Sequence, residues 1–333
     1  MTDQPESQLP AALPAHLRNP VTRAMVRVQN RIVQAAREHL TAQGFTELRP
    51  PIIGPVTDPG GRGSKQIDID FYGHRYKLMT SAILYKQASL LAFDKIFCVA
   101  PNVRLEPLET ANTSRHLVEF HQLDVEIAGA SRNDAMNVAQ DIIATATAAV
   151  VADLEDELAV LGRDPQAFAA LLKEDAPFDR VTHADAVAEL TRLGHPQNPD
   201  AEIDWEGEAL LSIRADRPFF ITDYPKGSRG FYDRENPERP GVLTNFDLIA
   251  PEGYGELISG SEREHDYARI VARMRETGEN PAKYGWYLDM VRDGIPGSSG
   301  FGIGLERLTR YIAGLDAVWQ ATAFPKTPGV VSA

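Results

Sequence analysis

The residues from Ile96 to Ile127, IFCVAPNVRLEPLETANTSRHLVEFHQLDVEI, constrain the fold more than any other segment of the chain. Two runs that alternate apolar and polar residues flank a polar loop, the pattern of an antiparallel hairpin with one face on a core. Arg104 and Glu106 stand two residues apart at the end of the first run, so both side chains leave the same face. A guanidinium there can grip a phosphate or carboxylate while the acid accepts from an amine or a ring nitrogen. Arg115 and His116 add two donors from the loop, and Phe120 on the returning run offers a flat face for a purine. Taken alone, such a hairpin is more often a salt-bridged surface.

A second stretch supplies a complementary half. In GSSGFGIGLERLTRYIAGL, Gly297 to Leu315, the glycines 300, 302 and 304 alternate and run directly into Leu305, Leu308, Tyr311 and Ile312 at helical spacing. Glycines at every second position leave one strand face bare for a planar group, and the helix that follows presents Arg307 from its first turn. Together with the Arg104-x-Glu106 hairpin, this resembles motifs two and three of the class II aminoacyl-tRNA synthetases. The runs SRHLVEFHQLDVEI, GELISGSEREHDY and FGIGLERL resemble the catalytic domain of the aspartyl and asparaginyl members, in the family's order from about Asn19 to Pro328. The implied fold is α+β, an antiparallel sheet flanked by helices.

The chain has 333 residues and a formal charge of −13, which argues against a general nucleic-acid binder, since counterion-release affinity needs a basic face. The one cysteine, Cys98, lies in an apolar run and excludes a disulfide framework or a cysteine-based metal site. No signal peptide precedes the body, and the longest uncharged apolar run, Ile142 to Ala152, is too short to span a bilayer. A cytoplasmic protein with no membrane partner is expected.

Residues 1–20 read as a flexible N-terminal arm, and 21–333 as one catalytic domain. The tRNA synthetases carry an anticodon-binding barrel of about 100 residues ahead of that domain, for which the arm leaves no room. Val21 to Gly44 is an amphipathic helix with a glycine stop, followed by a strand at Phe45 to Arg49. This unit resembles motif one and implies a homodimer. Ile67 to Phe71 and Arg75 to Leu78 form a hairpin behind a Gly-rich loop from which Arg62 and Lys65 can reach inward. MTSAILYKQASLLAF is a helix entering the site. Asn133 to Leu161 reads as one long helix capped by Asn133, with a second helix begun by Thr182. Pro218 to Asp223 is a strand, and Val242 to Ala250 with Gly253 to Ser259 is the last large hairpin. Two helices, His265 to Thr277 and Pro281 to Arg292, lead to the glycine-rich strand.

The resemblance assigns roles. Arg104, Glu106, Arg115, His116, Phe120, Glu256 and Arg307 are the ATP-binding set, with Arg104, Arg307 and Lys86 catalytic. Glu256 and Ser259 match the pair that holds Mg²⁺, with Asp247 as a further candidate; an acid and a hydroxyl suit a hard ion that bridges phosphates. Ser81, Lys86, Gln122, Asp124, Arg263 and Ser298 are the substrate-binding set, Arg263 matching the arginine that grips the aspartate side chain. Tyr224, Lys226 and Phe231 match a stretch near that pocket. Two departures stand at the amino-acid end: Ile83 replaces a glutamine, and Ser298 lies in Pro-Gly-Ser-Ser-Gly where the family has Pro-His-Gly-Gly.

These departures and the absent barrel are taken to indicate the archaeal-type asparagine synthetase related to asparaginyl-tRNA synthetase. That enzyme makes the β-adenylate of aspartate, which ammonia attacks to give asparagine and AMP. The expected partners are aspartate, ATP, and ammonia or another small amine, and no tRNA. The alternatives are a ligase for a different amine, a truncated aspartyl- or asparaginyl-tRNA synthetase acting on tRNA, and a non-catalytic sensor, which the intact ATP-side set disfavours.

Overall fold

The computed structural model of the chain describes residues 12–59, 64–113, 115–173 and 177–330. In chain order the strands are β1 (Thr46–Glu47), β2 (Ile53–Gly54), β3 (Asp68–Phe71), β4 (His74–Leu78), β5 (Lys95–Val103), β6 (Glu119–Ala128), β7 (Asp179–Thr182), β8 (Phe219–Thr222), β9 (Asn245–Ala250), β10 (Gly255–Glu262) and β11 (Ser298–Gly304). The helices are α1 (Leu13–Arg18), α2 (Pro20–Ala42), α3 (Ile83–Ser89), α4 (Arg132–Asp153), α5 (Glu155–Leu161), α6 (His183–Arg192), α7 (Trp205–Ile213), α8 (Tyr267–Glu276), α9 (Gly285–Asp293) and α10 (Leu305–Ala313).

Eight strands form one sheet in the order β1-β5-β6-β11-β10-β9-β8-β7, and β2, β4 and β3 form a smaller one. The six middle strands are antiparallel, as the alternating runs imply. The two edges are not: β1 pairs with β5, and β7 with β8, in parallel. β7 escapes a sequence reading because two of its four residues are exposed and no apolar alternation marks it. The centre of the sheet is β11, which joins β6 on one side to β10 on the other.

Helix α2 begins where Asn19 accepts from the amide of Val21 and Pro20 occupies the first helical position. Its Met25, Val28, Ile32, Ala36 and Leu40 are buried at the predicted spacing, each large side chain worth roughly 1.5–3 kcal/mol. The long helix expected from Asn133 differs in two ways. Its cap is Ser131, in a reciprocal box with Asp134, and the chain breaks at Leu154 (φ −131°) to restart as α5. Among the described residues α4 alone is long and apolar enough to cross a membrane by length and composition. Its Ala135, Ile142, Ile143 and Val150 are fully buried in the main core instead. Thr182 caps α6 as expected.

A separate apolar cluster gathers Ile83, Leu84, Val56, Phe231, Tyr284 and Tyr287. It supports the start of α3, so the aliphatic Ile83 is anchored in packed hydrophobic surroundings.

Candidate active site

A cavity of about 1020 Å³ opens over the sheet, lined by β6, β10, β11, α3, the loop between β5 and β6, and the segments 202–205 and 226–233. Its floor follows from strand periodicity. Gln122, Asp124 and Glu126 alternate along β6 and leave one face, and they stand opposite Gly304, Gly302 and Gly300 of β11. A Cβ on Gly302 would lie 2.7 Å from the Gln122 amide nitrogen and 2.9 Å from Asp124; one on Gly300 would collide with Glu126. The alternate glycines thus make room for acidic side chains of the neighbouring strand, and only Gly302 and Gly304 face the cavity.

Those side chains form a buried charge cluster. Lys86 Nζ donates to Asp124 Oδ1 at 2.8 Å and to the Phe301 carbonyl at 3.0 Å, and lies 3.6 Å from Glu126. Arg263 clasps Glu126 through Nε and Nη2 at 3.0 and 3.2 Å, and its Nη1 donates to Ser261 at 2.7 Å and to Asp233 at 3.4 Å. Ser298 donates to Glu126 at 2.9 Å. Burial pushes the Asp233 carboxyl up, against the pull of Arg263. The carboxylates around Arg263, Glu126 foremost, overcome its burial and hold its pKa above the ordinary value. Asp124 Oδ2 is buried without a hydrogen-bond partner.

The other end of the cavity gathers Arg104, Arg115 and Arg307. Arg104 donates to the Thr80 carbonyl at 2.9 Å and lies over the Phe120 ring at 5.0 Å, with Glu106 beside it in the lining. Arg307 lies 3.2 Å from Glu256. Arg115 pairs with Glu208 of α7 at 2.5 Å, and His116 bonds to Thr113 and tilts against Trp205 at 4.9 Å. Glu256 and Ser259 are three apart, which in a regular strand would place them on opposite faces. The register of β10 against β9 shifts between Glu256 and Ile258, a bulge that returns both to the cavity face. Asp247, by contrast, is held by Arg229 at 2.6 and 3.2 Å.

Most residues read from the sequence meet here: Ser81, Lys86, Arg104, Glu106, Arg115, His116, Phe120, Gln122, Asp124, Glu256, Ser259, Arg263 and Arg307 all line the cavity. Ser298 does not; its buried hydroxyl donates to Glu126 instead. Tyr224 and Phe231 are buried in apolar clusters, whereas Lys226 reaches the cavity. Arg62 lies outside the described residues, and Lys65 bridges the backbone of Leu105. The sequence reading passed over Glu126, Glu208, Trp205, Arg229 and Asp233. Only Glu126 carried a signal, its two-residue spacing from Asp124.

The model of tRNA synthetases class II (D, K and N) matches residues 11–328. The chain belongs to the class II aminoacyl-tRNA synthetases. The asparagine–tRNA ligase of Pyrococcus abyssi is 34% identical over 319 residues, 94% of this chain and 70% of that protein. That of Thermus thermophilus is 35% identical over 309 residues, 91% and 69% of the two chains. The asparaginyl-tRNA synthetase of Pyrococcus horikoshii, solved with asparaginyl-adenylate, superposes with a TM-score of 0.90 at 32% identity, covering 96% of this chain and 72% of that one.

As a class II synthetase, the protein is a ligase with the mixed α/β catalytic fold of that class. Two expectations fall. An ammonia-dependent asparagine synthetase is not what these relatives are; they are ligases of asparagine and tRNA. The exclusion of tRNA as a partner falls with it. The departures at residues 83 and 298 had suggested an inverted aspartate, but Ile83, which lines the cavity, is anchored in an apolar cluster, and Ser298 positions Glu126.

Proposed function

We propose that the protein is a cytoplasmic enzyme that activates asparagine with ATP and passes the asparaginyl group to a tRNA. The observation that carries this reading is the clasp of Arg263 by Glu126. Arg263 and Lys86 bring two positive charges to the amino-acid end, and Glu126, Asp124 and Asp233 set three carboxyl groups against them. A substrate carboxylate finds no surplus cation there, and burying an uncompensated charge is costly. A carboxamide, neutral and able to both donate and accept, suits a site whose cations are already compensated. The unpartnered Asp124 Oδ2 supports a role in receiving the substrate ammonium.

At the nucleotide end, adenine enters between Phe120 and Arg307, and Arg104 moves from the ring to the α-phosphate. The substrate α-carboxylate, already ionised, attacks the α-phosphorus in line and pyrophosphate leaves, so positioning and charge neutralisation do the chemistry. A tRNA hydroxyl then attacks the carbonyl and AMP departs. Glu256 and Ser259 fit Mg²⁺: the bulge turns an acid and a hydroxyl to one face, and no group of three or more acids, histidines or cysteines able to hold a metal occurs among the described residues. This sparse set suits an ion held largely by phosphates and water, which neutralises their charge. The homodimer implied by motif one is part of this reading.

The test is ATP–pyrophosphate exchange with asparagine and aspartate in parallel, followed by acylation of total tRNA. Asparagine-dependent exchange and asparaginyl-tRNA are the expected results. Exchange with aspartate alone, or acylation of no tRNA, would overturn the proposal.

A further inference from the structure

Arg229 lies in the segment between β8 and β9 and turns into the phosphate end of the cavity. Its Nη1 donates to Ser259 at 2.8 Å and to Asp247 at 3.2 Å; its Nη2 donates to Asp247 at 2.6 Å and Glu202 at 3.0 Å; its Nε lies 2.5 Å from Glu202. The guanidinium stacks on the Tyr224 ring at 4.2 Å. Two carboxylates and a hydroxyl therefore converge on one point, an oxygen set that would suit a hard divalent ion, and the point is filled by a planar monovalent cation.

The stacking ring and the bidentate contacts fix that cation in a single geometry. Asp247 is almost wholly buried, and both its oxygens are engaged by Arg229. A metal could reach Asp247 only by displacing the guanidinium and leaving it buried with less compensation, which is costly.

We propose that Arg229 is a positioning residue that takes the place of a second divalent ion: it holds Asp247, orients the Ser259 hydroxyl by donating to it, and leaves Glu256 as the acid that meets Mg²⁺. The inference rests on the reading of Glu256 and Ser259 as the metal end of an ATP site. It also gives the observed burial of Asp247 a function. A carboxylate placed at the metal end has been assigned to a permanent internal partner.

The experiment counts ions rather than turnover. Mn²⁺ binding is measured by electron paramagnetic resonance on the whole chain with α,β-methylene-ATP, in the wild type, D247N, R229Q, the double variant and E256Q. The wild type and D247N are expected to bind the same number of Mn²⁺ with the same affinity. R229Q is expected to gain one Mn²⁺ per chain, and the double variant to lose it again. Weaker Mn²⁺ binding by D247N alone would make Asp247 a metal ligand and overturn the proposal, even where R229Q fails to fold. A folded R229Q with an unchanged count would overturn it as well. E256Q separates the two readings: an Mn²⁺ affinity unchanged by E256Q sinks the metal end itself, whatever Arg229 does.

Discussion

Gly300 stands directly across from Glu126 in the β6–β11 ladder, and the space where its Cβ would be is occupied by the Glu126 carboxylate. The glycine thereby permits the clasp of Glu126 on Arg263, and with it the balance of charge beneath the amino-acid end of the cavity. Gly300→Ala would force both Glu126 and the Val125 backbone carbonyl to move. Overpacking of this kind costs about 1–3 kcal/mol, so a lower midpoint in thermal melting is expected. Amino-acid-dependent exchange should fall further than nucleotide affinity measured by calorimetry.

Glu126→Gln removes the charge that compensates Arg263 while keeping the shape of the side chain. Arg263 then keeps Asp233, at 3.4 Å, as its one charged partner among the described residues, and aspartate gains on asparagine. A shift of about tenfold in the ratio of kcat/KM values, equivalent to about 1.4 kcal/mol, is expected in pyrophosphate exchange. An unchanged ratio would remove the pair from substrate selection.

Arg104→Ala deletes a donor held in place by the Thr80 carbonyl and the Phe120 ring. Loss of one preorganised donor to a developing charge lowers kcat by about 10²–10³, and the same is expected here for adenylate formation in a single-turnover assay. The fold should be unaffected, because the side chain faces the cavity and is not part of the core.

Much of this architecture is legible in the sequence where a local rule decides. Met25 to Leu40 at helical spacing, the alternation on either side of Arg104, the glycines before Leu305 and the Thr182 cap all act within a few residues of themselves. What escaped depends on partners far along the chain. The break at Leu154 carries neither glycine nor proline, and Ser131 wins the cap from Asn133 because Asp134 completes its box. The bulge at Leu257 exists only relative to β9. The engagement of Asp247 by Arg229 and of Arg263 by Glu126 joins residues that become neighbours only when four strands have assembled. Site residues were therefore readable as types, and their pairings were not.

His121 offers a test by pH. Glu306 accepts from the His121 amide at 3.0 and 3.1 Å and bonds its ring Nδ1 at 3.0 Å, tying β6 to α10. That hydrogen bond to Glu306 raises the imidazole pKa above its ordinary 6.5. A raised folded-state value means that the stabilisation is fully present below about 6.5 and is lost as pH climbs through the folded pKa. Thermal midpoints measured from pH 5.5 to 8.5 should fall more steeply for the wild type than for His121→Asn. Parallel curves would show that the pair does not titrate in this range.

The central position of β11 sets a timetable. β6 and β10, which flank it, are synthesised earlier, and until Ser298–Gly304 emerges each holds an unpaired edge facing the gap. The loop that bears Arg104 and Arg115 is closed later still, when the Val118 amide reaches the Lys326 carbonyl at 2.7 Å. Such long-range pairing is slow, and open strand edges invite association with other chains. A nascent chain stalled before β11 is thus an aggregation hazard, and the end of the cavity that holds Arg104 and Arg115 is the last part to close on the ribosome.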